Sequence, residues 1–561
     1  MFQYLFKKDD EEVLKDENYY RQIEILDKYK KCVQKMDLML LRDRTEKAHR
    51  FYEGDQWNGL KSDGEDLPVF NILKSIVKYK TAVVSQNTLS ATYTPLGERN
   101  TDVLKVCEEL NLYFAKMWER GKLDILSWGI IKDACIQGDS YLYFGDGNDV
   151  TKAEKIKNVN IFFEDEENPN IQEQKYLFIR ERLFVDDVKK EARKNNISEE
   201  DISLIVKDTD YDFYDYKNNP TLDLYEEDKC TSIFYFYKDD EGYVHFLKMT
   251  KNVIYVPDTI LRVHDNAGNF TNVGLKLYPI VNFLWEEKYN SARGNSEILN
   301  IIPNQIEINK TLARRLITIK QTAFPKVVFS ENQVLNPDDI DTVGAKISVR
   351  TSQAQEVNDL ITYLPPIQMS PDAKNISDEL MMMTRELAGA GDSATGSIDP
   401  TKASGAAIIA VKDQAALPLN EQFARFSQFV EDIAYLWFEF WCTYNPNGFF
   451  IHTNDNEKVF VSPEILRDLK INVRVDISRN NPFSKFAQEQ GLEHLLQMQL
   501  ISFEEYVKAL DHDSAIPKGK LVDILNAREA NQNNQMQNIP PGMIPGMNIP
   551  HEVPERNPDM S

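Results

Sequence analysis

The sequence predicts an α+β protein built of several sub-domains, and three observations lead there. Amphipathic helical periodicity recurs from residue 17 to about 137. Strand-like runs of β-branched and aromatic residues then fill about 157–290. Beyond them, two amphipathic segments flank a short β-like module. The 561 residues exceed what one ordinary core serves, and with 42% hydrophobic and 11% aromatic residues the chain has enough apolar mass to bury real cores.

Each element follows from its pattern. In 17–50, Ile23, Leu26, Val33, Met36 and Leu40 recur near a 3.6-residue period, which predicts one helix. A loop rich in Gly and Asp covers 51–71, and residues 72–85 return to helical spacing. From Thr101, the positions Val103, Cys107, Leu110, Phe114 and Met117 share a face; Gly121 interrupts, and a second helix runs to about Gln137. Ser140–Phe144 reads as a short strand closed by Gly145-Asp146-Gly147-Asn148. Ile233–Lys238 and Tyr243–Lys248, joined by Asp-Asp-Glu-Gly, read as a hairpin, and the acidic stretch 208–228 as a loop. A helix of about 20 residues is expected from Pro303, a residue suited to a first turn, with Ile301, Ile308, Leu312 and Ile319 on one stripe. A small β module spans Lys326–Pro366. Ser370-Pro371-Asp372 then starts a helix carrying Ile376, Leu380, Met383 and Leu387, which stops at Gly389. Residues 389–405 are small and polar, hence a loop. An aromatic-faced helix follows Pro418, with Phe423, Phe426, Val430, Ile433, Trp437 and Phe440 in register. Strands at 448–462 and 470–477, short helices in 484–528 and a disordered Asn/Gln/Pro/Met-rich tail complete the chain.

Charge and cysteine usage exclude several function classes. The net charge of −24 opposes tight gripping of DNA, because phosphate binding is driven by basic side chains releasing counterions. The acidity is read first as a source of solubility; the functional reading is an acidic surface that lets DNA slide past without sticking. The five cysteines are far apart and form no CxxC pair, so neither a disulfide framework nor a zinc cluster is expected. The N-terminus turns acidic after six residues and lacks the apolar core of a signal peptide, and no run of about 18 apolar residues predicts a membrane helix.

The motifs of catalysis are missing too. A P-loop needs a lysine that reaches the phosphates, and the nearest string, Gly391–Ser397, has none. No GxGxxG, GxSxG or HExxH occurs, and the seven histidines stand without a Cys or His at ligand spacing. The Glu164–Glu167 cluster could hold magnesium but is read as solvated carboxylate. No catalytic residue, metal ligand or cofactor-binding residue is expected. Trp437 and Trp441 are read as core, not as a base-stacking platform.

The order of the pieces carries a resemblance. Tyr52-Glu-Gly54-Asp-Gln56-Trp57 followed by Pro68, Asn71 and a helix is one part of it. Gly294-Asn-Ser296-Glu297, then Gln305, Asn309 and Pro325, is the second. Ala388-Gly389-Ala390-Gly391 with Ala403-Ser404-Gly405-Ala406-Ala407 is the third, and Val473–Asn481 with Lys485, Leu495 and Ile501-Ser502 the fourth. In this order, over roughly 40–525, the chain resembles the portal proteins (head-to-tail connectors) of tailed double-stranded DNA bacteriophages. The resemblance implies a non-enzymatic dodecameric ring with an axial channel for DNA packaging, retention and ejection at one capsid vertex of the virion, assembled in the host bacterial cytoplasm. By order it implies an N-terminal helical arm (1–45), a wing (46–295 and 419–482), a first stem helix (296–325) and a clip (326–370). A second stem helix (371–389), a channel loop region (390–418), a helical crown (483–528) and a tail (529–561) follow. The implied partners are further copies of the chain, DNA in transit, the terminase large subunit, neck and tail adaptors, and the major capsid and scaffolding proteins. Within the channel region Lys402, Lys412 and Gln414 are expected to face DNA, with Asp399 and Asp413 preventing tight capture. Ile301, Ile308, Leu312 and Ile319, with Ile376, Leu380, Met383 and Leu387, are the expected stem-packing residues. Two other readings remain: another capsid or tail subunit, or a metal-dependent nuclease or terminase component.

Overall fold

The computed structural model describes residues 2–58, 67–96, 101–145, 152–208, 228–261, 274–323, 326–329, 331–340, 342–350, 356, 360–364, 371–391, 416–445, 447–452, 458–462, 471–479 and 491–509. The chain divides into two units, Met1–Ser478 and Arg479–Ser561.

The first unit opens with helices α1 (Phe2–Leu38), α2 (Leu41–Glu53) and α3 (Ile72–Ser85). The single helix expected over 17–50 is therefore broken. Leu40 takes a left-handed conformation (φ 51°), which ends the first helix before α2 begins at Leu41. Gly54 ends α2 at φ 99°, its N–H bonded to the Arg50 carbonyl, as a C-terminal glycine does. Asn71 caps α3 by accepting from the Lys74 N–H. Helices α4 (Thr101–Arg120) and α5 (Leu123–Gln137) part at Gly121–Lys122, as the interruption at Gly121 predicts.

Two sheets organise the middle of the chain. Strand β2 (Asp139–Tyr143) pairs antiparallel with β3 (Glu154–Ile156) on one side and β9 (Ile280–Leu284) on the other. A five-stranded antiparallel sheet holds β4 (Ile161–Phe163), β5 (Tyr176–Phe184), β6 (Lys229–Lys238), β7 (Val244–Met249) and β8 (Ile254–Ile260) in that order. The β6–β7 hairpin has the expected strands, with Lys238 opposite Val244 and Gly242 at φ 84° in the turn. The run Ile233-Phe-Tyr-Phe236 is uninterruptedly apolar because both faces of this sheet are covered. Ile233 and Tyr235 pack with Ile25, Cys32 and Met36 of α1, while Phe234 and Phe236 join the main core. The strand-like reading of 157–290 needs one correction. Helices α6 (Val185–Lys194) and α7 (Glu199–Ser203) interrupt it, and Val188, Ala192 and Ile202 pack with Val253 and Tyr255 as a separate small core.

Next come α8 (Glu297–Ala323), the antiparallel pair β10 (Val327–Phe329) and β11 (Ile361–Tyr363), and α9 (Pro371–Leu387). Helix α8 starts six residues before Pro303, which lies inside it. The expected start at Pro303 is thus corrected. Ser296 Oγ accepts from the N–H groups of Ile298 and Leu299, so a real N-cap sets the start.

Helix α10 (Asn420–Tyr444) lies in the main core, where Trp437 is fully buried 4.9 Å from the Phe114 ring. Strands β12 (Phe449–His452) and β13 (Lys458–Val461) form a hairpin, and β14 (Ile471–Arg479) pairs with β1 (Asn87–Pro95). The second unit is described over 491–509. Ser502 and Glu505 form a capping box at the start of helix α11 (Phe503–Ala509), whose Tyr506 and Val507 pack with Leu492, Leu496 and Ile501. Among the described residues no helix is long and apolar enough to cross a membrane.

Candidate functional site: the anchored helix pair

Helix α8 is built into the protein at its N-terminal end by a buried polar framework. Immediately before it stands Arg293, whose side chain is 3% exposed. Its guanidinium meets Glu166 in a two-pronged pair, Nε to Oε2 at 2.8 Å and Nη2 to Oε1 at 2.9 Å. It also donates to the carbonyls of Asn158 (3.0 Å) and Ile161 (2.8 Å) and lies over the Phe163 ring. Asp139, fully buried, accepts from the Tyr141 hydroxyl at 2.6 Å and stands 3.4 Å from Arg293. Burial by itself would lower the Arg293 pKa, but the Glu166 carboxylate and its other anionic neighbours push it well above the ordinary value. The cation is therefore fixed, and its planar fork spends its donors on the carboxylates of Glu166 and Asp139 and on two carbonyls.

The next residues lock the backbone. A Cβ on Gly138 would lie 2.4 Å from the Gly294 carbonyl oxygen, and one on Gly294 would lie 2.1 Å from that of Gly138. Only glycine permits this approach. The Ser296 hydroxyl donates to the Ile136 carbonyl. Glu297 takes Lys80 at 2.8 Å and the Trp285 indole N–H at 3.0 Å.

About two and three turns further on, Gln305 and Asn309 are both buried and clamp the loop that precedes α3. Gln305 Nε2 donates to the Phe70 carbonyl (2.7 Å), and its Oε1 accepts from the Ile72 N–H (3.1 Å). Asn309 Oδ1 accepts from the Phe70 N–H (3.2 Å) and from Gln305, while its Nδ2 donates to Gln56. Gln56 in turn donates to the Phe51 carbonyl, Asn71 to that of Tyr52, and the Trp57 indole to that of Pro68. The two motif groups that carried the resemblance, Gln56-Trp57…Pro68…Asn71 and Ser296-Glu297…Gln305…Asn309, are thus one hydrogen-bonded assembly across more than 200 residues of sequence.

Beyond Asn309 the character changes. Helices α8 and α9 run antiparallel. Asn304 faces Thr384 and Arg315 faces Ser377, each with its nearest polar atoms at 3.4 Å. Ser377 and Thr384 are buried at this contact. Of the eight stem-packing candidates, Ile301 and Ile308 lie in the main core and Leu312 and Leu380 pack half-buried against it. Ile319, Ile376, Met383 and Leu387 are 57%, 52%, 47% and 82% exposed. Leu316 and Met382 are exposed beside them and were not singled out in the sequence. Residues 310–323 carry Lys310, Arg314, Arg315 and Lys320 with no acid, whereas 371–387 hold four acidic against two basic residues. The free surface of the pair is therefore apolar, with opposite charge on its two helices.

Beyond the pair's far end, Val328, Phe329, Tyr363 and Leu364 on and beside the β10–β11 sheet are exposed. The channel candidates Asp399, Lys402, Lys412, Asp413 and Gln414 lie outside the described residues. The Glu164–Glu167 cluster is not wholly solvated as expected, since Glu166 is buried against Arg293. Among the described residues no group of three or more His, Cys, Asp or Glu is arranged to hold a metal ion. Arg293 itself had no periodic or motif signal in the sequence; only its place beside Gly294 could have drawn attention to it.

The family described as Phage P22-like portal protein matches residues 253–481, from β8 through the helix pair to β14. The resemblance to phage portal proteins is borne out. The match takes in Gly294, Ser296, Gln305 and Asn309 and both helices of the pair, so the portal-like segment is the one the polar framework anchors. No curated protein matches the chain. A chain of the solved virion of a native gene transfer agent particle aligns over 83% of this chain and 92% of its own length, at 10% identity and a TM-score of 0.37, a likeness too low to add to the argument.

Proposed function

We propose that the chain is a portal subunit. Copies of it form a dodecameric ring at one capsid vertex, through which double-stranded DNA is packaged, retained and ejected. The observation that carries this reading is the surface of the helix pair. Large apolar side chains at Ile319, Ile376, Met383 and Leu387 are exposed on a rigidly anchored element, where a monomer gains nothing from them. Basic α8 and acidic α9 give the pair two unlike faces. A second copy fits such a surface head to tail, and head-to-tail contacts form a ring when the rotation between copies closes. The portal-family match over 253–481 supports the same reading.

In this proposal the pair is the stem, 326–370 the clip that docks the terminase large subunit and later the neck and tail adaptors, and 390–418 the channel loop. The β10–β11 sheet has only two strands, too few to be stable alone, and its exposed Val328 and Tyr363 call for a neighbour. The chain performs no catalysis in this scheme, since the ring guides DNA that a separate motor drives. The net charge of −24 suits passage without capture.

Electron microscopy of the purified protein with a solution mass tests the proposal. A ring of twelve or a neighbouring number with a central hole is expected. Removal of 532–561 is expected to leave it intact. A compact monomer or dimer, or nuclease or ATPase activity in the pure protein, would overturn the reading.

A further inference from the structure

Helix α1 is packed as a separable part. Its buried Ile25, Cys32 and Met36 form a second core with Phe162, Phe178 and Tyr235 of the five-stranded sheet, and the Tyr29 ring stands edge-on to Phe162 and Phe178. Arg21 pairs with Asp258 of β8 and donates to the Tyr237 hydroxyl at 3.0 Å. Among the described residues α1 has no share in the main core. Lifting it away bares one face of the sheet and takes nothing out of that core.

The link that holds α1 in place is short and strained. Only Met39 and Leu40 separate α1 from α2. Leu40 sits at φ 51°, a conformation that a bulky L-residue seldom adopts, and no glycine relieves it. Leu38 and Leu40 are both exposed there. In an unbroken helix Leu40 would join the stripe of Val33 and Met36, seven and four residues before it. The periodicity of 17–50 asks for that unbroken helix. The link is thus strained while α1 lies on its own sheet and relaxed when α1 continues straight into α2. A short hinge under strain favours exchange of an element between identical chains.

We propose that α1 is an exchanged arm. The link at Met39–Leu40 straightens, and α1 of one copy covers the five-stranded sheet of a second, with its Arg21 paired to Asp258 of that copy. The occupant is a second copy because the receiving face is the one that α1 already fits. The inference rests on copies of the chain meeting, as in the proposed ring, but a ring can close with every arm kept on its own sheet, so the two readings fail separately.

Carbodiimide coupling of the full chain tests it. The reagent joins a lysine amine to a carboxylate and does not couple arginine, so Arg21→Lys makes the pair with Asp258 linkable. The double variant Arg21→Lys/Asp258→Asn can supply only the amine, and the unaltered chain only the carboxylate. When these two are co-expressed, a 21–258 link can form only between copies. The linked peptide, read by mass spectrometry of a digest, is expected, with a band of doubled mass on a denaturing gel. With Leu40→Gly in both chains, which removes the strain at φ 51° and weakens the straight helix, the linked peptide is expected to fall about tenfold. A link in the single variant Arg21→Lys with none between the co-expressed chains would overturn the proposal. A ring-sized solution mass beside that result leaves the ring reading standing, whereas a single-chain mass sinks both. No 21–258 link in the single variant would show that α1 does not lie on this face, and an undiminished link in Leu40→Gly that exchange owes nothing to the hinge; either result overturns the proposal.

Discussion

The two halves of helix α8 obey different rules, although sequence periodicity treats them alike. From Glu297 to Asn309 one face of the helix is buried, and its polar side chains carry the structure: Glu297, Gln305 and Asn309 bond to Lys80, Trp285, Phe70, Ile72 and Gln56. From about Leu312 onward its apolar side chains turn outward, with Leu316 and Ile319 exposed, while Ser377 of α9 is buried opposite Arg315. The anchored half resembles a domain interior, where a polar group persists only if its hydrogen bonds are complete. The distal half resembles half an interface, where apolar residues persist although nothing in the same chain covers them. Fixing one end and baring the other suits an element that must present a surface at a set angle.

The contrast breaks most severely at Arg293. Arg293→Met is expected to leave Glu166 and Asp139 buried without their cation, and removal of one partner of a buried pair costs about 3–5 kcal/mol. Urea unfolding should show that loss at neutral pH. A loss under 1 kcal/mol would mean that water replaces the guanidinium and that the framework is not what fixes the helix. Next in size is Asn309→Ala. It strips partners from Gln56 and the Phe70 N–H, and buried groups left unsatisfied cost about 1–3 kcal/mol. Trp57, which donates to Pro68 in the same loop, provides a local fluorescence readout of whether the loop before α3 loosens.

Much of this was legible in the sequence, but unevenly. The interruption at Gly121 and the stop at Gly389, and the helices they bound, followed from local chemistry, because a helix end is decided by a few neighbouring residues. The start of α8 was misplaced at Pro303 because proline at a first turn is a local rule, whereas Ser296 caps the helix while also bonding to Ile136, a tertiary contact. The break at Leu40 had no glycine to announce it. The strand Asn87–Pro95 went unread because its partner, β14, lies nearly 400 residues away. Gln305 and Asn309 stood out only by likeness to other sequences. Their reason for being polar, Gln56 and the 70–72 backbone, is also remote. Apolar stripes showed which face of each helix matters and were silent on what covers it. Ile308 and Ile319 belong to one stripe, yet one is fully buried and the other more than half exposed.

That silence can be tested by the change with the smallest effect on folding. Leu312 and Leu380 are poor probes, because both pack against the main core and an aspartate at either would damage the fold itself. Leu387 and Ile376 are better, being exposed at the two ends of the α9 stripe. Leu387→Asp and Ile376→Asp are expected to change unfolding free energy by no more than about 0.5 kcal/mol, as surface substitutions do. If copies of the chain meet on this face, the same substitutions bury an unpaired charge at every contact of the ring, and the solution mass should fall to that of the single chain. Full-size assembly by both variants would show that the exposed stripe is not where copies meet. Loss of folding stability by several kcal/mol would show that the stripe is covered within the chain. Only the combination of an unmoved unfolding curve and a lost ring fits a helix whose distal half is the open side of an interface.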